Sequence, residues 1–163
     1  MRLGHGLDMV RISMSLVGAL VIAACSRESE QKAQLKYTGE LWSVHIQTNW
    51  TFEETSSNVT FFANRGLGAL EFSASRNNDS HAKDDDLHAL AKQHLDAGAP
   101  VLDIACGAFS GFYLHYSVGD TYRRKWWLRR DDVILLATYT SDLSKKGNED
   151  FVIDSILTTL KRP

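Results

Sequence analysis

The sequence predicts an α+β domain in which an antiparallel sheet of about six to seven strands is covered by two helices. Three observations lead to this fold class. Stretches with period-two alternation of apolar and polar residues lie both before and after one segment of helical period. Short turn signals join neighbouring strand stretches, which favours antiparallel hairpins. A second apolar helix pattern then closes the chain.

The first strand patterns begin where Trp42, Val44 and Ile46 alternate with polar neighbours. Such alternation indicates a strand with one buried and one solvated face. Two further strand candidates, residues 58–63 and 67–74, are separated by a turn signal at residues 64–66. This part of the domain is therefore predicted to be an antiparallel meander.

A helix is predicted after this meander. Its inner stripe recurs at the spacing of an amphipathic helix and comprises Leu87, Leu90, Ala91, His94 and Leu95. Three aspartates at residues 84–86 suit the positive N-terminal end of a helix, and Gly98 and Pro100 mark its end.

The strands resume after the helix, with residues 101–106, an alternating stretch around Leu114, Thr121–Arg130 and residues 133–141. The turn signals Gly119-Asp120 and Asp131-Asp132 join the last three. A final helix is predicted from about residue 149 to 161. We find a single domain, residues 37–163.

The N-terminal residues 1–24 have the pattern of a signal peptide. Arg2 and Arg11 precede an apolar stretch at residues 16–24, which is much shorter than the roughly 20 residues that cross a bilayer. The next stretch, residues 25–36, is polar and is predicted to be a tether. Removal of the leader leaves 139 of the 163 residues, which is the size of one domain.

The end of the leader, Ile22-Ala-Ala-Cys25, resembles the bacterial lipobox. The resemblance implies that Cys25 receives a diacylglycerol and an acyl chain on its amine, which together make a lasting membrane anchor. An ordinary cleaved signal is the alternative. We expect a lipid-anchored protein of the bacterial cell envelope. In a Gram-negative source, the resemblance implies that Ser26, in place of aspartate after the cysteine, favours the periplasmic side of the outer membrane.

Composition excludes some function classes. The mature chain has 16 basic and 19 acidic residues, so it lacks the strong positive charge that nucleic-acid binders need for phosphate contacts. Cys25 and Cys106 are the two cysteines, and lipidation of the first leaves none to pair with the second. We expect Cys106 to be a small buried residue.

The sequence contains no strong catalytic or metal-binding motif, and we expect no cofactor. Ser110 lies one position too late for a nucleophile elbow. The histidines lack the four-residue helical spacing of a zinc site. An envelope hydrolase with a pocket around Ser110 and His115 remains an alternative to a protein without catalytic activity.

The most unusual segment is Thr121–Arg130, in which five of ten residues are cationic and three are aromatic. Strand alternation places Arg123, Lys125, Trp127 and Arg129 on one face, which we expect to be solvated. A cationic face with an indole is suited to an acidic protein surface, anionic lipid or cell-wall polymer. The structural alternative is a sheet surface paired with nearby acids such as Asp131, Asp132 and Glu71.

The order of several motifs resembles PsbP-like domains of small bacterial lipoproteins: Trp42-Ser-Val-His-Ile46, Asn49-Trp50, Gly68-Ala-Leu-Glu-Phe-Ser73, a helix, Ile134-Leu-Leu-Ala-Thr-Tyr139 and a terminal apolar helix. The resemblance implies a sandwich of an antiparallel sheet and helices. It also implies a binding or assembly factor without a catalytic centre.

The leading hypothesis is therefore a membrane-tethered, non-enzymatic lipoprotein that contacts an envelope or secreted protein. An immunity lipoprotein that neutralises a delivered toxin and an envelope hydrolase are the alternatives.

Overall fold

The computed structural model describes residues 34–63, 66–77 and 81–163. The predicted leader and the lipobox residue Cys25 lie outside these residues. The described elements are β1 (Gln34–Thr38), β2 (Ser43–Gln47), β3 (Trp50–Glu54), β4 (Asn58–Ala63), β5 (Gly68–Arg76), α1 (Asp84–Asp96), β6 (Leu102–Cys106), β7 (Phe109–Val118), β8 (Thr121–Arg130), β9 (Val133–Asp142) and α2 (Asp150–Leu157). A 3₁₀ turn, Leu143–Lys145, lies between β9 and α2.

Seven strands form one antiparallel sheet in the order β3-β4-β5-β9-β8-β7-β6, and β1 pairs with β2 in a small second sheet. This confirms the predicted α+β class. The turns predicted at Gly119-Asp120 and Asp131-Asp132 are confirmed, since Val118 pairs with Thr121 and Arg130 with Val133. Helix α1 connects β5 to the far edge of the sheet at β6.

The large sheet has two differently covered faces, which we call the α1 face and the α2 face. The larger core cluster lies on the α2 face, where Trp126 and Leu135 pack with Trp42, which directly precedes β2, and with Ile153 of α2. A smaller cluster on the α1 face joins Leu87 of α1 to Phe112 and Trp127. The domain is thus a sheet with unequal layers on its two sides.

Helix α1 begins where the sequence predicts. The Asp86 carboxylate accepts a hydrogen bond from the backbone N–H of Lys83 at 2.7 Å, which satisfies a donor at the helix start. Leu87 and Ala91 are its buried residues.

Within the residues that the structure describes, no helix is long and apolar enough to span a membrane.

Two element boundaries and one sheet assignment differ from the sequence predictions. Strand β1 begins at Gln34, three residues before the predicted domain start, because the end of the polar segment pairs with β2. Trp50 begins a strand of the large sheet, whereas β2 belongs to the small one. Helix α2 ends at Leu157 rather than near residue 161, since Lys161 forms a backbone bridge with Ser43.

Candidate functional site

Strand β8 places the four predicted binding residues on the α1 face. Antiparallel register sets Arg123 opposite Tyr116, Lys125 opposite Leu114, Trp127 opposite Phe112 and Arg129 opposite Ser110. The four side chains follow each other at every second position, as strand geometry requires. They differ, however, in what covers them.

Trp127 does not face solvent, and the expectation that this whole face is solvated is wrong at this position. Its side chain is 4% exposed. The indole stacks on Phe112 at a centroid distance of 5.5 Å, and its ring and that of His94 meet in an edge-to-face arrangement, also at a centroid distance of 5.5 Å. Helix α1 covers this part of the sheet, so Trp127 is a packing residue of the smaller core cluster.

Arg129 is partly exposed and paired with an acid. Its Nε lies 2.7 Å from Asp84 Oδ1, in the first turn of α1. The hydrogen bond from Arg129 lowers the pKa of Asp84 below its ordinary value, and the same bond raises the pKa of Arg129. The carboxylate comes from α1, not from the acids that the sequence places near β8.

Arg123 and Lys125 make no ion pair with any acid in the part of the chain that the structure describes. Arg123 is exposed and Lys125 is partly exposed. Their neighbours on β9 are Thr140 and Thr138. We call Arg123 and Lys125 the cationic patch.

His94 lies beside this patch at the end of α1. Its ring is 5.0 Å from the ring of Tyr116, which pairs with Arg123. Burial, and secondly the positive charge of Lys125, lower the pKa of His94. Near neutral pH the neutral imidazole is therefore favoured, and the positive charge at this place comes from the cationic patch.

The remaining arginine of central β8, Arg124, points to the other face and is 5% exposed. Its guanidinium donates a hydrogen bond from Nη2 to Asp154 Oδ1 at 2.8 Å. The guanidinium carbon lies 4.7 Å from the centroid of the Trp126 ring. A second carboxylate, Asp150, is 3.5 Å away and accepts a hydrogen bond from Tyr122, whose pKa burial raises to about 12. No sequence pattern predicts this network, although Asp150 and Asp154 stand one helical turn apart in α2.

Ser110 and His115 do not share a pocket. Both lie on β7 but five positions apart, so their side chains point to opposite faces of the sheet. Ser110 instead lines an open cleft of about 510 Å³ between α1 and β6, together with His88, Asp103 and the Asp84–Arg129 pair. Within the described chain Ser110 makes no side-chain hydrogen bond to His88, so the cleft contains no formed serine–histidine pair.

The residues that the structure describes also form neither a metal site nor a reactive cysteine. No group of three or more histidine, cysteine, aspartate or glutamate side chains there could hold a metal ion. Cys106 is buried, as expected, and burial raises the pKa of its thiol to about 11. A thiol of this kind is a poor nucleophile near neutral pH.

A different kind of cavity lies between the two sheets. We call it the apolar groove; its volume is about 360 Å³ and its lining is Leu35, Lys36, Tyr37, Thr38, Ile46, Trp50, Phe52 and Phe61. Strands β1 and β3 supply most of this lining. No pattern in the sequence predicts the groove, because its two walls belong to different sheets.

No protein-family model matches the chain, and no curated protein matches it. Among solved structures, the chain is similar to the solution structure of cyanobacterial PsbP (CyanoP) from Synechocystis sp. PCC 6803. The TM-score is 0.59 at 10% identity, over 87% of this chain and 99% of that one. It is also similar to a protein of Bacteroides thetaiotaomicron, with a TM-score of 0.60 at 15% identity over 81% of this chain. The chain spans only about half of that protein, 49% of its length. The domain has a PsbP-like fold.

Proposed function

We propose that this chain is a lipid-anchored protein of the bacterial cell envelope that works by binding another protein rather than by catalysis. The anchor is the acylated Cys25 at the end of the leader. The domain holds an acidic surface of an envelope or secreted protein at the membrane, as a binding or assembly factor. The cationic patch is the part of the domain that makes this contact.

The observation that carries the proposal is the difference between the cations of β8. Arg124 and Arg129 are paired with carboxylates, and Arg130 lies 3.5 Å from Asp131 and donates a hydrogen bond to the Ala108 carbonyl. Arg123 and Lys125 have no acidic partner among the described residues. Adjacent unpaired cations on a sheet surface favour an acidic partner, because complementary charges speed encounter and select the correct surface.

The PsbP-like fold supports the proposal by analogy only. The resemblance stated above implies binding and assembly roles in exported compartments. Function resides in the site and not in the fold. The test must therefore address the anchor and the patch separately.

The anchor is tested by metabolic labelling with an alkyne palmitate in bacteria that express the full chain. The Cys25→Ala variant is expected to lose the label and to leave the membrane fraction. Cys106→Ala is the matched control, since it removes the buried thiol and leaves the lipobox unchanged. Equal labelling of wild type and Cys25→Ala contradicts the anchor.

The patch is tested by photo-crosslinking in cells from position 140, where Thr140 lies directly opposite Arg123. We expect one protein adduct, reduced at least several-fold by Arg123→Ala/Lys125→Ala. The control Lys145→Ala/Lys161→Ala removes the same charge from exposed positions elsewhere. An adduct of equal yield in both double variants contradicts the role of the patch.

The identity of the adduct separates the binding hypotheses. A resident envelope protein supports an assembly factor, whereas a toxin from a competitor supports an immunity protein. Turnover of an ester or peptide substrate that Ser110→Ala abolishes contradicts a non-catalytic function.

A further inference from the structure

We propose that the apolar groove takes an acyl chain of the bilayer to which the protein is anchored, so that this edge of the domain docks on the membrane. The inference rests on the proposed anchor at Cys25. It adds a second membrane contact, made by the folded domain itself.

The lining of the groove fits a hydrocarbon chain. Six of its eight residues are apolar or aromatic, and Lys36 and Thr38 are the other two. Leu35 and Phe52 are 50% and 45% exposed, so the groove presents apolar surface to solvent. The ring of Phe52 lies 5.3 Å from the buried ring of Tyr37 and 5.8 Å from the buried ring of Phe61, so this surface is continuous with the core.

The groove is open at the edge of the domain. β1 has β2 as its one neighbour in the small sheet, and β3 is an edge strand of the large sheet. The groove lies between these two strands, which supply six of its eight lining residues. A ligand that enters there needs no opening of the core.

The length of the chain before β1 keeps the groove close to the bilayer. Eight residues lie between Cys25 and Gln34, the first residue of β1. Fully extended, the nine steps from the Cα atom of Cys25 to that of Gln34 span at most about 32 Å. The intervening sequence, SRESEQKA, has no large apolar side chain that could occupy the groove itself.

Charge also distinguishes this surface from the cationic patch. Lys36 lines the groove, and the Glu54 carboxylate is close enough to the Tyr37 hydroxyl to raise its pKa further, after burial, so an acid near the groove offsets the charge of Lys36. Insertion should therefore depend on apolar contact and not on anionic headgroups. Vesicles of the zwitterionic lipid phosphatidylcholine suffice, and added salt has little effect.

The test uses the lipidated mature chain in phosphatidylcholine vesicles whose acyl chains are brominated, with unbrominated vesicles as the reference. Bromine quenches the fluorescence of a nearby indole, and Trp50 forms part of the groove wall. We expect quenching of the wild type. Trp50→Phe and Leu35→Ser/Phe52→Ser should each lose at least half of it.

The matched control is Leu90→Ser/Leu102→Ser, which removes two large apolar side chains, each 53% exposed, that do not line the groove. It should be quenched like the wild type. Thermal unfolding of each variant checks that the fold is intact. If Leu35→Ser/Phe52→Ser does not fold, the milder single variant Phe52→Ser is measured instead, with the same expected loss of quenching.

The outcomes separate this inference from the proposed function. A chain that takes up no palmitate contradicts both the lipid anchor and the acyl-chain groove, because nothing then holds the groove near a bilayer. A labelled chain without quenching, or with quenching equal in the groove variant, overturns the groove alone. A concentration-dependent dimer that Leu35→Ser/Phe52→Ser abolishes, without quenching, assigns the groove to a second copy of the chain.

Discussion

At the scale of single residues, neighbours on β8 have opposite environments. Arg123 is exposed on the α1 face, and Arg124 is buried on the α2 face against Trp126. The second guanidinium is tied to the carboxylates of α2 and stabilises that contact. The first has no acid to pair with in the described residues and is available to a partner.

Arg124→Met is expected to lower the free energy of unfolding by about 2 kcal/mol. The substitution leaves Asp150 and Asp154 without their cation, and both carboxylates are only partly exposed, so solvent compensates in part. Urea unfolding measures the change. Arg123→Met is the matched control and should stay within about 0.5 kcal/mol of wild type. Equal losses of stability in Arg124→Met and Arg123→Met would contradict the view that Arg124 is a structural residue and Arg123 is not.

His94 is expected to make the domain less stable in mild acid. Its folded-state pKa lies below the ordinary value of 6.5, so the unfolded chain takes up the proton first. The contribution of neutral His94 to the free energy of unfolding is therefore fully present above pH 6.5 and is lost as the pH falls below this value. Urea unfolding from about pH 7.5 to about pH 5.5 should show a shallower loss for His94→Gln than for wild type.

The control for this measurement is Gln93→Ala, which replaces an exposed neutral residue on the same helix. It should keep the slope of the wild type, because it removes no titratable group. Asp132, whose pKa Arg162 and Arg76 lower to about 2, loses its contribution only below about pH 4 and does not enter this window. If the free energy of unfolding falls with pH equally in the wild type and in His94→Gln, His94 is not the group that makes the domain less stable in mild acid.

At the scale of elements, α1 decides what the α1 face of the sheet presents. It buries Trp127, supplies Asp84 to Arg129 and leaves Arg123 exposed. Its own sequence is only moderately apolar, with Leu87 and Ala91 as its buried residues. The helix therefore depends on a small contact area for its position.

Leu87→Ala is expected to destabilise the domain by about 3 kcal/mol, because it leaves a cavity against Phe112 and Trp127. Amide exchange should rise in α1 before it rises in β8. Leu90→Ala, at a position 53% exposed on the same helix, should have little effect. Exchange that rises equally in α1 and β8 would show that the helix does not open separately.

At the scale of the whole molecule, the two proposed contacts lie on different parts of the domain. The cationic patch is on the α1 face, whereas the apolar groove lies between the large sheet and the small sheet that covers its α2 face. A domain docked on a bilayer through the groove can therefore still present the patch. Binding of partner and bilayer should not compete.

Variants of the two surfaces are accordingly expected to act independently. Leu35→Ser/Phe52→Ser should leave the crosslink from position 140 unchanged, and Arg123→Ala/Lys125→Ala should leave quenching by brominated lipid unchanged. Sites that share no partner residues are usually additive. Loss of both signals in either variant, with the fold intact, would mean that the two contacts are one.

Much of the fold follows from local patterns. Alternation along Thr121–Arg130 predicts a strand and the face of each side chain, and two-residue turn signals predict the hairpins on either side. The spacing around Leu87 predicts α1. The assignment of β2 and β3 to different sheets was not predicted, since a change of sheet leaves the alternation on both sides intact.

The sequence alone determined the α+β class, the antiparallel hairpins and which four side chains of β8 share a face, because these depend on residues close together in the chain. Only the tertiary structure decided that α1 buries Trp127 and pairs Arg129, and that β1 and β3 enclose an apolar groove. The physical reason is that burial depends on which element packs over a face. That contact joins residues far apart in sequence, and no local pattern encodes it.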